Sequence, residues 1–378
     1  MSKYLKIKRK TQLPLLLKNY SKMESFIKFS NIICDGMFPF CRSIKSHLKN
    51  GIINLDKPDY FNCSEIIIWI KNFFNLSKIG YYQDLDYKIN GCFIIFLENS
   101  IRLIKSHTKQ GKTLICVFKF KHINENIKKE FSQKLELFTG LFFQPSFLFS
   151  NVKRQLRIIN IHSASIYEFD QTQKTCIVEI SCESNIYIRS LSYYFFSKFG
   201  NNCKLIELRQ VRSGYLTENI NLVTLHDIID SSWFYQCKKN DFYIKKVIMP
   251  LEIILTRHKR IVVKSSAINS ICYGAKLMIT GIIRAEKNIG KNDEVLLISL
   301  KGEAVAIATC ITNITVLNVQ KLVCICTIKY IIMNRDEYPK KWGIGINQIK
   351  KKLAAACGFL SVKKKKIKDK RLGTWNYE

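Results

Sequence analysis

Acidic residues are scarce in this chain. Only 29 aspartates and glutamates face 61 lysines and arginines over 378 residues, leaving a formal net charge of +32. An excess of that size is hard to keep compact without an anionic partner, and RNA, DNA or an anionic membrane surface are the candidates. A lysine-coated soluble surface is the plainer reading. Long apolar runs are also missing. The most apolar stretch, Leu137 to Phe149, is broken by Gln144, Pro145 and Ser146 and falls short of the ~20 residues a helical span needs. The N-terminus is basic, but Leu13 to Leu17 is too brief for a signal-peptide core and Pro14 interrupts it, so the sequence predicts an intracellular protein.

Histidine is sparse as well. The six, at 47, 107, 122, 162, 226 and 258, lie far from one another in sequence. Fourteen cysteines are present, yet there is no Cys-x-x-Cys, no His-x-x-His, and no second pair near Cys324-x-Cys326. That pattern argues against structural zinc. Reduced thiols in apolar settings, such as Cys116 and Cys272, read as small hydrophobes. No P-loop, Gly-x-Ser-x-Gly elbow or His-Glu-x-x-His occurs. Gly343-Ile-Gly345 lacks the third glycine and the preceding strand of a dinucleotide fingerprint.

What the chain does have is enough apolar surface to fold: 47% hydrophobic and 12% aromatic residues exclude a disordered chain. At about 150 residues per domain the length predicts two or three domains, and no internal repeat is visible. Gly51 to Pro58 reads as a strand ended by a proline turn. Asn62-Cys-Ser-Glu65 has the spacing of a capping box, followed by Ile66, Ile70, Phe73 and Phe74 on one helical face. Leu114 to Phe120 reads as a strand and Asn124 to Phe138 as an amphipathic helix. Arg157 to Tyr167 pairs with Thr175 to Cys182, a helix runs from Ile188 to Phe199 and stops at Gly200, and Leu205 to Arg212 is a further strand. Asp227 to Pro250 carries little periodic signal and reads as a connection. From His258 to Met333, a helix over Ser266 to Tyr273 and runs such as Glu294 to Leu300 and Ala304 to Ala308 suggest a small β-barrel-like module. The run at 363–371 is a basic tail, either solvated or an import or RNA-contact segment.

Two patterns combine the residue types of one site. The first is Gly80 to Gly91, a loop carrying Asp84, Asp86 and Lys88; the second is Glu183-Ser-Asn-Ile-Tyr187-Ile-Arg189. The aspartate would serve as nucleophile or base, the arginine would keep it ionised, and the tyrosine would stack on a substrate ring. Spacing alone also fits a polar turn and an ordinary helix start.

Seven motifs in fixed order decide between these. They are Gly51-Ile-Ile-Asn-Leu-Asp-Lys-Pro58, Leu85-Asp86-x-Lys88-x-x-Gly91, Val152-Lys-Arg-Gln-Leu-Arg157, Tyr187-Ile-Arg189, Glu207-Leu-Arg-Gln-Val-Arg-Ser-Gly214, Ile271-Cys-Tyr-Gly-Ala-Lys276 and Tyr338-Pro-x-Lys-Trp-Gly343. From about Leu13 to Gly345 the chain resembles the dyskerin-type box H/ACA pseudouridine synthases, members of the TruB family. The resemblance implies an α+β fold, with a catalytic domain on a curved, mostly antiparallel sheet over 51–250 and a small PUA domain over 258–333. It also implies an N-terminal segment, 1–50, packed on the PUA domain, and a C-terminal extension over 334–378. It implies RNA-guided isomerisation of uridine to pseudouridine in ribosomal RNA, with small nuclear RNA left open as a second substrate, and a role in ribosome biogenesis. No cofactor or metal is needed. The implied partners are a box H/ACA guide RNA, the substrate RNA and three small proteins, with no membrane, in the nucleus and nucleolus.

Carried over residue by residue, Asp86 matches the family's nucleophile, Tyr187 the tyrosine at the base, and Arg189 the arginine that pairs with the carboxylate. Leu114 and Leu208 would support the base. Lys57, Lys88, Lys112, Lys153, Arg154, Lys264 and Lys276 would bind RNA. The chain departs from the family pattern at Tyr81, Tyr82, Gln83, Asp84 and Tyr87 around the Leu-Asp pair. It also departs at Leu114, where a second tyrosine normally stands, and at Pro145-Ser146, shifted from the usual proline pair. These departures keep a second reading open, a catalytically weakened H/ACA RNA-binding scaffold. A stand-alone tRNA-modifying enzyme is a third.

Overall fold

The computed structural model describes residues 15–26, 35–82, 85–107, 110–122, 127–137, 139–144, 156–184, 186, 203–313, 324–335 and 337–339. The expected helix Ile188 to Phe199, residues Gln83 and Asp84, Pro145-Ser146, Lys153, Arg154 and the basic tail lie outside them.

Two sheets organise the described residues. The larger contains β2 (Gly51–Lys57), β3 (Ile79–Tyr81), β4 (Asn90–Leu97), β5 (Lys112–Phe120), β6 (Gly140–Gln144), β7 (Arg157–Asp170), β8 (Thr175–Cys182), β9 (Cys203–Ser213), β10 (Leu216–Thr217), β11 (Leu222–Val223) and β12 (Met249–Pro250). Its main path runs β11-β2-β4-β9-β5-β8-β7-β6, with β3, β10 and β12 paired off it. Most neighbours are antiparallel; β4 and β9 meet in parallel where Asn90 lies beside Arg209 and Gly91 beside Gln210. The smaller sheet runs β1-β15-β13-β16-β17-β18-β14. It comprises β1 (Glu24–Ser25), β13 (Lys259–Val263), β14 (Leu277–Met278), β15 (Ile282–Ala285), β16 (Glu294–Ile298), β17 (Ala304–Cys310) and β18 (Cys324–Ile331). The mixed α+β class expected from the sequence is what the chain adopts.

Alternation explains how the strands are buried. In β2, Ile53 and Leu55 point into one apolar cluster with Ile66 and Ile70 of helix α2 (Cys63–Phe73), while Ile52 on the other face enters a second cluster. That second cluster also holds Leu16, Leu17, Val262, Leu296 and Ile307, so the N-terminal residues and both sheets share one core. The N-terminal run is fastened to the smaller sheet by polar bonds too. Arg260 Nη1 donates to the carbonyls of Leu16 at 2.6 Å and Lys18 at 2.8 Å, and β1 pairs antiparallel with β15.

Two local expectations need correction. Asn62 begins α2 but makes no side-chain cap, because its amide donates to the Glu65 carboxylate at 3.1 Å instead. The segment read as a featureless connection holds two helices, Leu225–Lys238 and Phe242–Val247. The first starts in a capping box, with the Thr224 hydroxyl accepting from the Asp227 N–H and the Asp227 carboxylate accepting from the Thr224 N–H.

Candidate active site

The loop that carries Asp86 joins β3 to β4, and from Leu85 to Ile89 its main chain is tied down at all but one position. Leu85 is buried in the α2 cluster, and the Cys63 thiol donates to its carbonyl at 3.3 Å. The Ile89 N–H donates to the Asp86 carbonyl at 2.9 Å, and the Tyr60 N–H to that of Tyr87 at 2.8 Å. Beneath the loop lies Lys57, fully buried. Its ammonium faces the carbonyls of Ile89 at 2.9 Å, Pro58 at 3.2 Å, Tyr87 at 3.3 Å and Asp86 at 3.5 Å. A buried ammonium is tolerable only where acceptors replace water, and here the chain folds its own carbonyls around it. Gly91, one turn further on, sits at φ +100°, and a Cβ there would stand 2.3 Å from the Gln210 carbonyl. Glycine is required at this close approach of β4 to β9.

Asp86 itself is half-buried. Its neighbours Tyr87 and Lys88 are exposed, with the Lys88 ammonium 5.4 Å from the Tyr87 ring centre. Tyr60, also exposed, lies 6.4 Å from Tyr87, ring to ring. Behind the loop, Arg209 of β9 holds Glu218 at 2.5 Å and Asp56 at 3.2 Å. Both partners raise the guanidinium's pKa against the opposing effect of desolvation.

Tyr187 and Arg189 lie outside the described residues. Their approach does not. Ile186 is buried in the same apolar cluster as Leu114 and Leu208, and Ile89 from the Asp86 loop packs against that cluster. Residue 186 and the Asp86 loop are therefore drawn to one place on the sheet. Lys112 fixes the first of them, its ammonium donating to the Ile186 carbonyl at 2.8 Å.

Several assigned roles change. Lys57 and Lys112, expected to contact RNA, are 0% and 4% exposed, and their ammonium groups are spent on main-chain carbonyls. Neither is available to a phosphate. Leu114 and Leu208 are core residues rather than stacking faces, since both are buried beneath the site. Lys88 and Lys276 are exposed and Lys264 half-buried, as an RNA-binding role needs. Tyr60, Cys63 and Gln210 were missed as supports. Only Gly91 hinted at Gln210, as a glycine at a strand start.

Burial pushes the Lys112 pKa down to about 8, against 10.5 for the exposed group. Between these values the unfolded chain binds more protons than the folded one, so the group's contribution to stability rises with pH across this window. The unfolding free energy of the native chain minus that of Lys112→Met should climb from about pH 8 to 10.5 by roughly 3 kcal/mol, read by denaturant titration at each pH. A flat difference would place Lys112 in water.

Residues 259–313 match the PUA domain family and residues 10–62 the DKCLD (NUC011) domain family. The chain is 41% identical over 347 residues to H/ACA ribonucleoprotein complex subunit cbf5 of Aspergillus fumigatus, covering 92% of this chain and 71% of that one. It is 38% identical over 368 residues to H/ACA ribonucleoprotein complex subunit DKC1 of Homo sapiens, covering 97% and 71%. The chain belongs to the Cbf5/DKC1 family. Solved structures agree. One, an H/ACA RNP bound to a substrate RNA containing 2′-deoxyuridine, includes a chain similar at TM-score 0.73 and 28% identity over 85% of this chain and 98% of that one. Another, a Cbf5-Nop10-Gar1 complex, gives 0.72 and 29% over 86% and 98%. Within the Cbf5/DKC1 frame, the fixed loop around Asp86 and the PUA match are the two parts that bear on function. Among the described residues, no helix is long and apolar enough to cross a membrane.

Proposed function

We propose that this chain is the catalytic subunit of a box H/ACA ribonucleoprotein and isomerises uridine to pseudouridine in RNA chosen by a guide. The observation that carries the reading is the Asp86 loop, held from below by Lys57 at the position where the family's motif places its nucleophile. The relatives named as H/ACA subunits and the structure with substrate RNA support it.

The target uridine first leaves its stack, at a few kcal/mol, and an aromatic face returns ~1–3 kcal/mol by stacking. Tyr187 supplies that face in this reading. The bond from C1′ to N1 breaks while Asp86 attacks the sugar or stabilises the electron-poor ribose that develops. Uracil turns over, C1′ bonds to C5, the C5 proton is lost and N1 gains one. Arg189 keeps the carboxylate ionised. The reaction needs no cofactor or metal. The partners are a guide RNA, the substrate ribosomal RNA and the three small particle proteins, and the site of action is the nucleus and nucleolus. Reconstitution with guide and small proteins, followed by mapping of pseudouridine in a target, tests the reading. Assembly without product would overturn it.

One observation favours a second reading, an assembled but weakened scaffold. Leu114, where the family carries a tyrosine, is 1% exposed inside hydrocarbon and offers neither hydroxyl nor ring. The same assay decides between the two.

The PUA domain would hold the guide through Lys264 and Lys276. Lys276 follows the Tyr273-Gly274 turn, and the Arg335 guanidinium lies 5.0 Å from the exposed Tyr273 ring. Reversing both lysines to glutamate should weaken guide binding and lower the slope of log affinity on log salt by about 2. Filter binding across a salt series reads this, and an unchanged slope would exclude both residues.

A further inference from the structure

Cys326, without a partner in sequence, acquires one across a strand. β17 and β18 run antiparallel with Cys310 opposite Cys326. The Ile311 N–H donates to the Ile325 carbonyl at 2.7 Å, whereas the N–H and carbonyl of Cys310 turn the other way, to Asp293 at 3.0 Å and Asn292 at 2.8 Å. That pattern identifies a pair without mutual backbone hydrogen bonds, the class whose Cα atoms lie about 4.5 Å apart and whose side chains come closest. A disulfide spans Cα separations of roughly 4.4–6.8 Å. The two sulfurs are already 3.3 Å apart and share a thiol hydrogen bond. Both cysteines are buried, while Cys324, two residues along β18, is half-buried.

We propose that Cys310 and Cys326 are a dithiol oxidised by hydrogen peroxide to a disulfide that locks β17 to β18. Either thiol can donate in the bond between the two sulfurs; with Cys326 donating, the Cys310 thiolate is favoured and that of Cys326 disfavoured. The Cys310 sulfur attacks one peroxide oxygen, the O–O bond breaks, and the departing hydroxide takes a proton to leave as water, giving a sulfenic acid. The Cys326 sulfur attacks that sulfenic sulfur, the S–O bond breaks, and a second water leaves with the Cys326 proton. Two thiols and one peroxide become one disulfide and two waters, the sulfurs oxidised and the peroxide oxygens reduced. Burial selects a small oxidant over a bulky one such as oxidised glutathione. The bridge closes residues 311–325 into a covalent loop. It also fixes the strand on which β14 rests, since Leu277 lies opposite Cys326 and Lys276 precedes it. The oxidation stands on the strand register and the contact between the two sulfurs, independently of the proposed function.

The test treats the full chain with graded hydrogen peroxide, quenches by alkylation in denaturant and maps unreduced tryptic peptides by mass spectrometry. Lys321 separates the two cysteines onto different peptides. The expected product is a linked pair, lighter by two hydrogens than the reduced peptides. It should form before any other cysteine is oxidised and be reversed by dithiothreitol. It should form ~10-fold more slowly with oxidised glutathione at equal concentration. Cys324 shares the Cys326 peptide, so Cys324→Ser should leave the product unchanged. Full alkylation of Cys310 and Cys326 while other cysteines oxidise would overturn the proposal, as would loss of the link in Cys324→Ser.

Discussion

Asp86→Asn should abolish pseudouridine formation, by about 10⁴-fold or more, while the particle still assembles. The bonds that shape the loop reach Asp86 through its main chain: its carbonyl accepts from the Ile89 N–H and the Lys57 ammonium. An asparagine keeps those bonds and nearly the same volume, and removes only the negative charge and the nucleophilic oxygen. Single-turnover assays with a saturating guide complex isolate that loss from RNA binding, which should stay within about twofold of native. Turnover at the native rate in this variant would remove Asp86 from the chemistry and assign the nucleophile to another group.

Lys57→Met should cost about 3 kcal/mol or more of stability. Methionine fills a similar volume but leaves the carbonyls of Ile89 and Pro58 without the Lys57 donor, while that of Tyr87 keeps the Tyr60 N–H, and each buried unsatisfied group costs ~1–3 kcal/mol. The turnover rate should fall with it, by ~10²-fold, because a loosened loop misplaces the carboxylate. Denaturant titration and single-turnover kinetics read the two effects. An RNA-binding lysine would behave differently: stability unchanged, affinity lower, and a salt slope reduced by about 1. The two outcomes share no common ground, so this one variant decides the residue's role.

The two lysines also show how far the sequence could be read. The order of motifs anticipated a PUA domain, which residues 259–313 match, and strands such as Gly51–Lys57 and Thr175–Cys182 form within a residue of expectation at most ends. The resemblance then brought Lys57 and Lys112 into the RNA-binding set. Strand alternation carried the opposite message. Lys57 follows Ile53 and Leu55 at spacings of two, and Lys112 precedes Leu114, Cys116 and Phe118 in the same way, so each shares the inward face of its strand. What alternation could not supply is the acceptor. Pro58 lies next door, but the other carbonyls that satisfy Lys57, those of Asp86, Tyr87 and Ile89, are some 30 positions away, and only the assembled sheet brings them there. The helix Leu225–Lys238 was missed for another reason. Its exposed Ile229 and Trp233 blur the amphipathic signal, although the Thr224 and Asp227 cap was present to be read. Cys310 and Cys326 are adjacent only through strand register, which no spacing rule reports.

The pairing of Glu24 and Ser25 with Ala285 and Arg284 sets an order of events during synthesis. At ~5–20 residues per second, the ribosome delivers β15 roughly half a minute after β1 has emerged. Through that interval Leu16 and Leu17 can meet only the part of the shared core that precedes β15, such as Ile52, Phe96 and Leu251, and lack Ile283, Leu296 and Ile307. The β1 strand is thus among the last to find its partner, and a chain cut before β15 leaves Glu24 and Ser25 without their pairing strand.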